Sequence, residues 1–115
     1  MARNAGGRMT HYEYACNYDG ERVPCWLAQF TDTDCQGRMD RIHLVPKQVL
    51  KRAGIEDVWD ERWWQPGCRW HHGQFDNYRL VVPRPALPWQ VEHFAATHGL
   101  TWYMERRYGP VEAAA

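Results

Sequence analysis

Residues 66–76 read PGCRWHHGQFD, and the reading of this stretch decides the fold. Pro66 and Gly67 mark a turn, and a helix is expected to begin near Cys68 and run to about Asp76. Cys68 and His71 stand as C-x2-H in its first turn, a spacing that brings both side chains toward one point. Successive helical side chains diverge by about 100°, so if His71 turns toward a metal ion, His72 points elsewhere. His72 and Asp76 lie four residues apart on one face, where Asp76 orients one ring nitrogen while the other takes a second metal. A solvated surface histidine is the competing reading of His72.

A structural zinc ion needs four ligands. Cys25 and Cys35, with a hairpin-like loop between them, are the best remaining candidates, and Cys16 is the spare. Each cysteine alone also suits the role of a small buried apolar residue. A disulfide framework is the third reading. The N-terminal stretch MARNAGGRMTHYEY has no apolar core of signal-peptide length, and no segment is long enough to span a membrane. The expected compartment is therefore the cytoplasm, where thiols stay reduced and a metal outranks disulfides.

At 115 residues the chain fits one domain, short enough that a purely apolar core leaves little stability in hand, so a staple is expected. The reading assigns residues 1–15 to a flexible arm, 16–109 to a single domain and 110–115 to a tail. Seven tryptophans and six tyrosines supply apolar area, while a mean hydropathy of -0.72 points to a largely polar surface. Fourteen Lys and Arg balance fourteen Asp and Glu, which excludes a broad basic nucleic-acid surface and leaves only a local one. Basic residues gather in RMDRIHLVPKQVLKR and acids in IEDVWDE. Lys47, Lys51 and Arg52 are the candidates for phosphate contacts, with a solvated helix face as the alternative.

Working outward, VPCWLAQF has the composition of a strand. RMDRIHLV reads as a second strand, with Met39, Arg41 and His43 on one face and Asp40, Ile42 and Leu44 on the other. Pro46 opens a helix over KQVLKRAG that Gly54 closes, with Val49 and Leu50 inward. IEDVWDERWWQPG reads as a packed loop or a short strand ending at the Pro66-Gly67 turn. RLVVPRPALP is extended, and WQVEHFAATHG is a helix from Pro88 to Gly99 with Val91, Phe94 and Ala95 as its apolar stripe. LTWYMERRYG puts Leu100, Trp102 and Met104 on one side, as in a short strand or an amphipathic tail packed on the core. The fold class is α+β.

Together, IHLVPKQ and PGCRWHHGQFD resemble the zinc-containing HNH endonucleases, a ββα-metal, treble-clef-like family, and especially its small phage-encoded type. In that family a histidine in a H-[IL]-[IV]-P stretch ends the first strand of a hairpin, and a second histidine lies on the following helix, just after a C-x2-[CH] knuckle. The resemblance covers residues 25–76, about half the chain.

The resemblance implies a DNA endonuclease with an added C-terminal helix. It makes His43 the general base that deprotonates water, His72 a ligand of a catalytic Mg2+ or Mn2+, and Cys25, Cys35, Cys68 and His71 the structural Zn2+ site. Histidine suits a base because its ordinary pKa lies near 6.5. Two features depart from the family pattern. No Asn occurs between His43 and Cys68 to brace the loop carrying the base, which leaves Asp60 or Gln65 for that place. Ile42 stands before His43 where the family often has an acidic metal ligand, and Asp40 lies one pleat earlier. These departures and the zero net charge favour the alternative, a non-catalytic zinc module that binds DNA or a protein.

Overall fold

A computed structural model describes residues 14–16 and 22–111, with side chains from Val23 onward. The arm expected over residues 1–15 lies outside the described residues up to position 13, as does the tail from 112, and as does the side chain of Cys16. The architecture is mixed: two small two-stranded sheets and four short α-helices among the described residues.

Two compact units emerge, one containing the residues up to Ile42 together with Pro66–Val81, the other His43–Gln65 and the chain from Val82. In the first, β1 (Tyr14–Cys16) and β2 (Arg22–Pro24) pair antiparallel with Ala15 opposite Val23. The strand expected over VPCWLAQF stops at Pro24, because proline has no N–H to continue a ladder. From Trp26 to Phe30 the chain forms a 3-10 helix instead, closed by Ala28 N–H to Cys25 O and Thr31 N–H to Ala28 O.

β3 (Met39–His43) and β4 (Trp64–Cys68) form the second sheet, and α2 (Arg69–Asp76) follows β4 directly. Strict alternation fails along β3, where Met39 and Ile42 are the buried pair and Arg41 is exposed. The turn expected at Pro66-Gly67 is absent, since both residues lie inside β4. Each strand of a two-stranded sheet keeps an open edge, where a missing N–H breaks no ladder bond. Gly67 serves packing: a Cβ there would lie 3.0 Å from Leu27 Cδ1 and 3.2 Å from Ile42 Cγ2. Phe75 and Leu80 complete this core with Leu27, Ala28, Met39 and Ile42.

In the second unit, α1 (Lys47–Arg52) begins after Pro46 and ends at Gly54, as expected. Gly54 has φ +86°, and its N–H and that of Ile55 return to Lys51 O and Leu50 O, a left-handed helix stop. Leu50 is buried, while Val49 is only half-buried. The stop repeats after α3 (Trp89–Thr97), where Gly99 has φ +72° and Leu100 N–H reaches Ala95 O at 2.7 Å. Val91 and Ala95 of the expected stripe are buried, with Phe94 half-buried under the guanidinium of Arg62, 3.9 Å from its ring centre.

Of the two forms expected of LTWYMERRYG, the strand is absent and an amphipathic segment packed on the core is present. It forms α4 (Thr101–Tyr108), so the C-terminal addition is a helical pair. Leu100 and Met104 satisfy period 2 and a helical i, i+4 spacing equally. Trp102 distinguishes the two: it is exposed, as the helix requires. Tyr108 donates its hydroxyl to Leu44 O at 2.6 Å, and burial pushes the phenol above its usual range. Arg84, also buried, forms a two-pronged ion pair with Glu92, at 2.9 Å for each bond.

Candidate metal centre and flanking histidines

Local structure around α2 gathers the first four candidate ligands. The first N–H groups of any helix lack intrahelical partners. Here Arg69 N–H donates to Arg38 O at 2.9 Å, Trp70 N–H to Gln36 O at 3.1 Å, and His71 N–H to Cys68 Sγ at 3.3 Å. Satisfying the helix start therefore draws residues 36–38 onto it and brings Cys35 alongside. Gly37 makes this approach possible, with φ +84° and no room for a side chain: a Cβ would lie 2.9 Å from Arg69 Cβ. Gly37→Ala should lower stability by about 2 kcal/mol through strain and collision together. A thermal melt of the ion-loaded variant that matches wild type would contradict that reading.

Ligand atoms of Cys25, Cys35, Cys68 and His71 all lie within 4.8 Å of one another. His71 Nδ1 stands 3.5 Å from Cys25 Sγ and 3.8 Å from Cys35 Sγ. A tetrahedron with Zn–S near 2.3 Å and Zn–N near 2.05 Å has a nitrogen–sulfur edge of about 3.6 Å, so these spacings suit such an ion. His71 and Cys68 are fully buried and Cys25 nearly so. His71 Nε2–H donates to Thr33 O at 3.0 Å, which points the Nδ1 lone pair at the sulfurs. Cys68 N–H also donates to Cys25 Sγ at 3.2 Å, offsetting thiolate charge. The arrangement is a Cys3His set compatible with a structural metal such as zinc, and its three cysteines are free thiols.

Proton affinities show what a cation would replace. Cys25 and Cys68 push the Cys35 thiol far up, while Cys25 and Cys35 pull Cys68 far down. Burial presses His71 down, but Cys25 and Cys68 outweigh it and hold the imidazole at about 10. A protonated His71 cannot ligate, so protons compete with the ion. The sign follows: ion affinity should rise with pH from 5 to 8 and keep rising toward about 10. Competition titrations with a chromophoric chelator across that range test this, and a flat profile would contradict it.

His72 faces away from the cluster's donor atoms, as the helical angle requires. Its Nδ1 lies 3.0 Å from Asp40 Oδ2 and its Nε2 3.3 Å from Asp76 Oδ2. Asp76 is the i+4 partner expected from the sequence. Asp40 was not paired with His72 by any sequence signal, because only the fold sets β3 beside α2. Arg69 grips both oxygens of Asp40, at 3.2 and 3.1 Å. Burial raises the Asp40 carboxyl, and Arg69 and His72 more than reverse it, holding it below the usual carboxylate range.

His43 belongs to the second unit. Its Nε2–H donates to Val58 O at 2.7 Å, and its ring meets the edge of Trp59 at 4.6 Å between centroids. Lys47 lies with Nζ 4.7 Å from the Trp59 ring centre. Lys51 and Arg52 are exposed in the last turn of α1, where their charges also complement the helix dipole. Asp60 is committed elsewhere: it caps the 3-10 helix Glu61–Trp63 and pairs with Arg62 at 2.8 Å.

Among the described residues, no helix is long and apolar enough to cross a membrane. Compared with known proteins, the chain matches no family model, no curated protein and no solved structure.

Proposed function

We propose that this chain is a metal-dependent DNA endonuclease of the HNH type, built on a ββα-metal, treble-clef-like scaffold that a Cys3His zinc staples. The observation that carries the reading is the tie between His43 Nε2 and Val58 O. Donating Nε2–H to a carbonyl selects one neutral tautomer and makes Nδ1 the basic nitrogen. That is the preparation a general base needs.

His72 and Asp40 supply the donor chemistry for a divalent cation. An imidazole nitrogen and a carboxylate oxygen 3.0 Å apart fit neighbouring ligands of a six-coordinate ion with bonds of about 2.1 Å. Asp76 then accepts from His72 Nε2–H and sets the ring orientation. When bound, Mg2+ or Mn2+ neutralises charge developing on the phosphate and leaving oxygen. His43 Nδ1 takes a proton from water, the water oxygen bonds to phosphorus, one P–O ester bond breaks, the departing oxygen gains a proton from solvent water, and His43 returns its own to solvent. Lys47, Lys51 and Arg52 are the proposed phosphate contacts, a local basic face on a neutral chain.

A second reading rests on Arg69. Its double grip on Asp40 already neutralises the carboxylate, as suits a zinc module that binds DNA or a protein without cutting. Nicking of supercoiled plasmid by zinc-loaded protein in Mg2+ or Mn2+ tests the first reading. Nicked circles that require the divalent ion support it, and DNA binding without nicking moves the assignment to the second.

A further inference from the structure

We propose that Asp57 is a positioning residue that holds His43 in its working tautomer through the peptide group joining Val58 to Trp59. Val58 C=O and Trp59 N–H belong to that one planar unit, with its oxygen and hydrogen on opposite edges. Asp57 Oδ1 accepts from Trp59 N–H at 3.1 Å, and Val58 O accepts from His43 Nε2–H at 2.7 Å. Fixing one edge of the plane fixes the other, so the Asp57 side chain determines where the acceptor for His43 points. A carboxylate on the N–H edge also polarises the peptide and strengthens its carbonyl as an acceptor.

The neighbouring contacts hold the same peptide in register. Trp64 Nε1–H donates to Trp59 O at 2.8 Å, fixing the following carbonyl. Asp60 N–H returns to Asp57 O at 3.3 Å. Trp59 adds its ring edge against His43. Val58 is buried, whereas Asp57 and Trp59 are exposed, so the loop is anchored at one residue and oriented by its hydrogen bonds. The assignment of a catalytic purpose rests on the proposed general base, but the relay itself is a statement about the tautomer of His43.

The test is long-range nitrogen–proton NMR of the His43 ring in zinc-loaded protein, where the two neutral tautomers give distinct nitrogen shifts. Wild type should show the Nε2–H form. Asp57→Ala should mix the tautomers, and Asp57→Asn, which keeps an acceptor oxygen, should restore the single form. Zinc content and the melting midpoint, recorded alongside, separate this effect from loss of the fold. Plasmid nicking should fall by roughly tenfold to a hundredfold in Asp57→Ala, as expected for a misdirected base. A wild-type Nδ1–H form, an unchanged signature in Asp57→Ala, or equal mixing in both variants would overturn the proposal. If the tautomers behave as expected and no protein nicks DNA, the nuclease reading fails and the relay stands.

Discussion

Stripping the metal centre with a strong chelator is expected to unfold the part of the chain that carries it, and Cys68→Ala is expected to reproduce that loss. Structural zinc binding is worth about 10–16 kcal/mol in small zinc-dependent domains, as much as or more than the whole stability of a typical chain. Here the ion would join three separated stretches: the Cys25 turn, the loop that delivers Cys35, and the start of α2 with Cys68 and His71. Without it, the thiols of Cys25 and Cys68 and the His71 imidazole are left buried, with Cys35 half-buried beside them, and the backbone groups that bond to them do not replace a cation. The Cys68 thiol also takes the His71 N–H at the helix start, so Cys68→Ala removes a ligand and a cap together. Elemental analysis with circular dichroism before and after chelation measures the effect. A chelated protein that keeps its spectrum and its melting point would show that the cluster does not staple the fold.

His43→Ala should abolish divalent-dependent nicking while zinc content and melting temperature stay near wild type. Positioned general bases contribute about 10²–10⁴-fold to rate, and on the proposed reading this variant removes one outright. Its structural cost is small by comparison. Among the described contacts, the half-buried ring gives up its hydrogen bond to Val58 O and its edge contact with Trp59, and water can replace it at the carbonyl. The Cys3His candidate ligands lie on other residues, so activity and metal content should separate in His43→Ala and fall together in Cys68→Ala. Plasmid nicking by wild type and both variants in Mg2+ and Mn2+ makes the comparison. Nicking that survives His43→Ala would remove His43 from the base role, whatever else the protein does.

Sequence by itself determined the features that are local. Cys68-x2-His71 at a helix start, the divergence of His72 from His71, and the pairing of His72 with Asp76 all follow from helical geometry over a few residues. Proline at the start and glycine at the end located α1 and α3 for the same reason: each restricts or frees the backbone at its own position.

Tertiary structure decided what depends on neighbours far along the chain. Cys25 and Cys35 have no tight spacing to commend them: Cys35 joins Cys68 where the helix N–H groups recruit residues 36–38, and Cys25 where its Sγ takes the Cys68 N–H. Pro66 and Gly67 carry a turn signal, yet an open sheet edge and the packing of Leu27 and Ile42 hold them in β4. Leu100 and Met104 fit a strand or a helix until the core claims one face and leaves Trp102 in solvent. The partners of His43 and His72, a backbone carbonyl at Val58 and a carboxylate at Asp40, carry no pattern in the sequence. A carbonyl is common to every residue, and a lone aspartate acquires its histidine only when a strand and a helix meet.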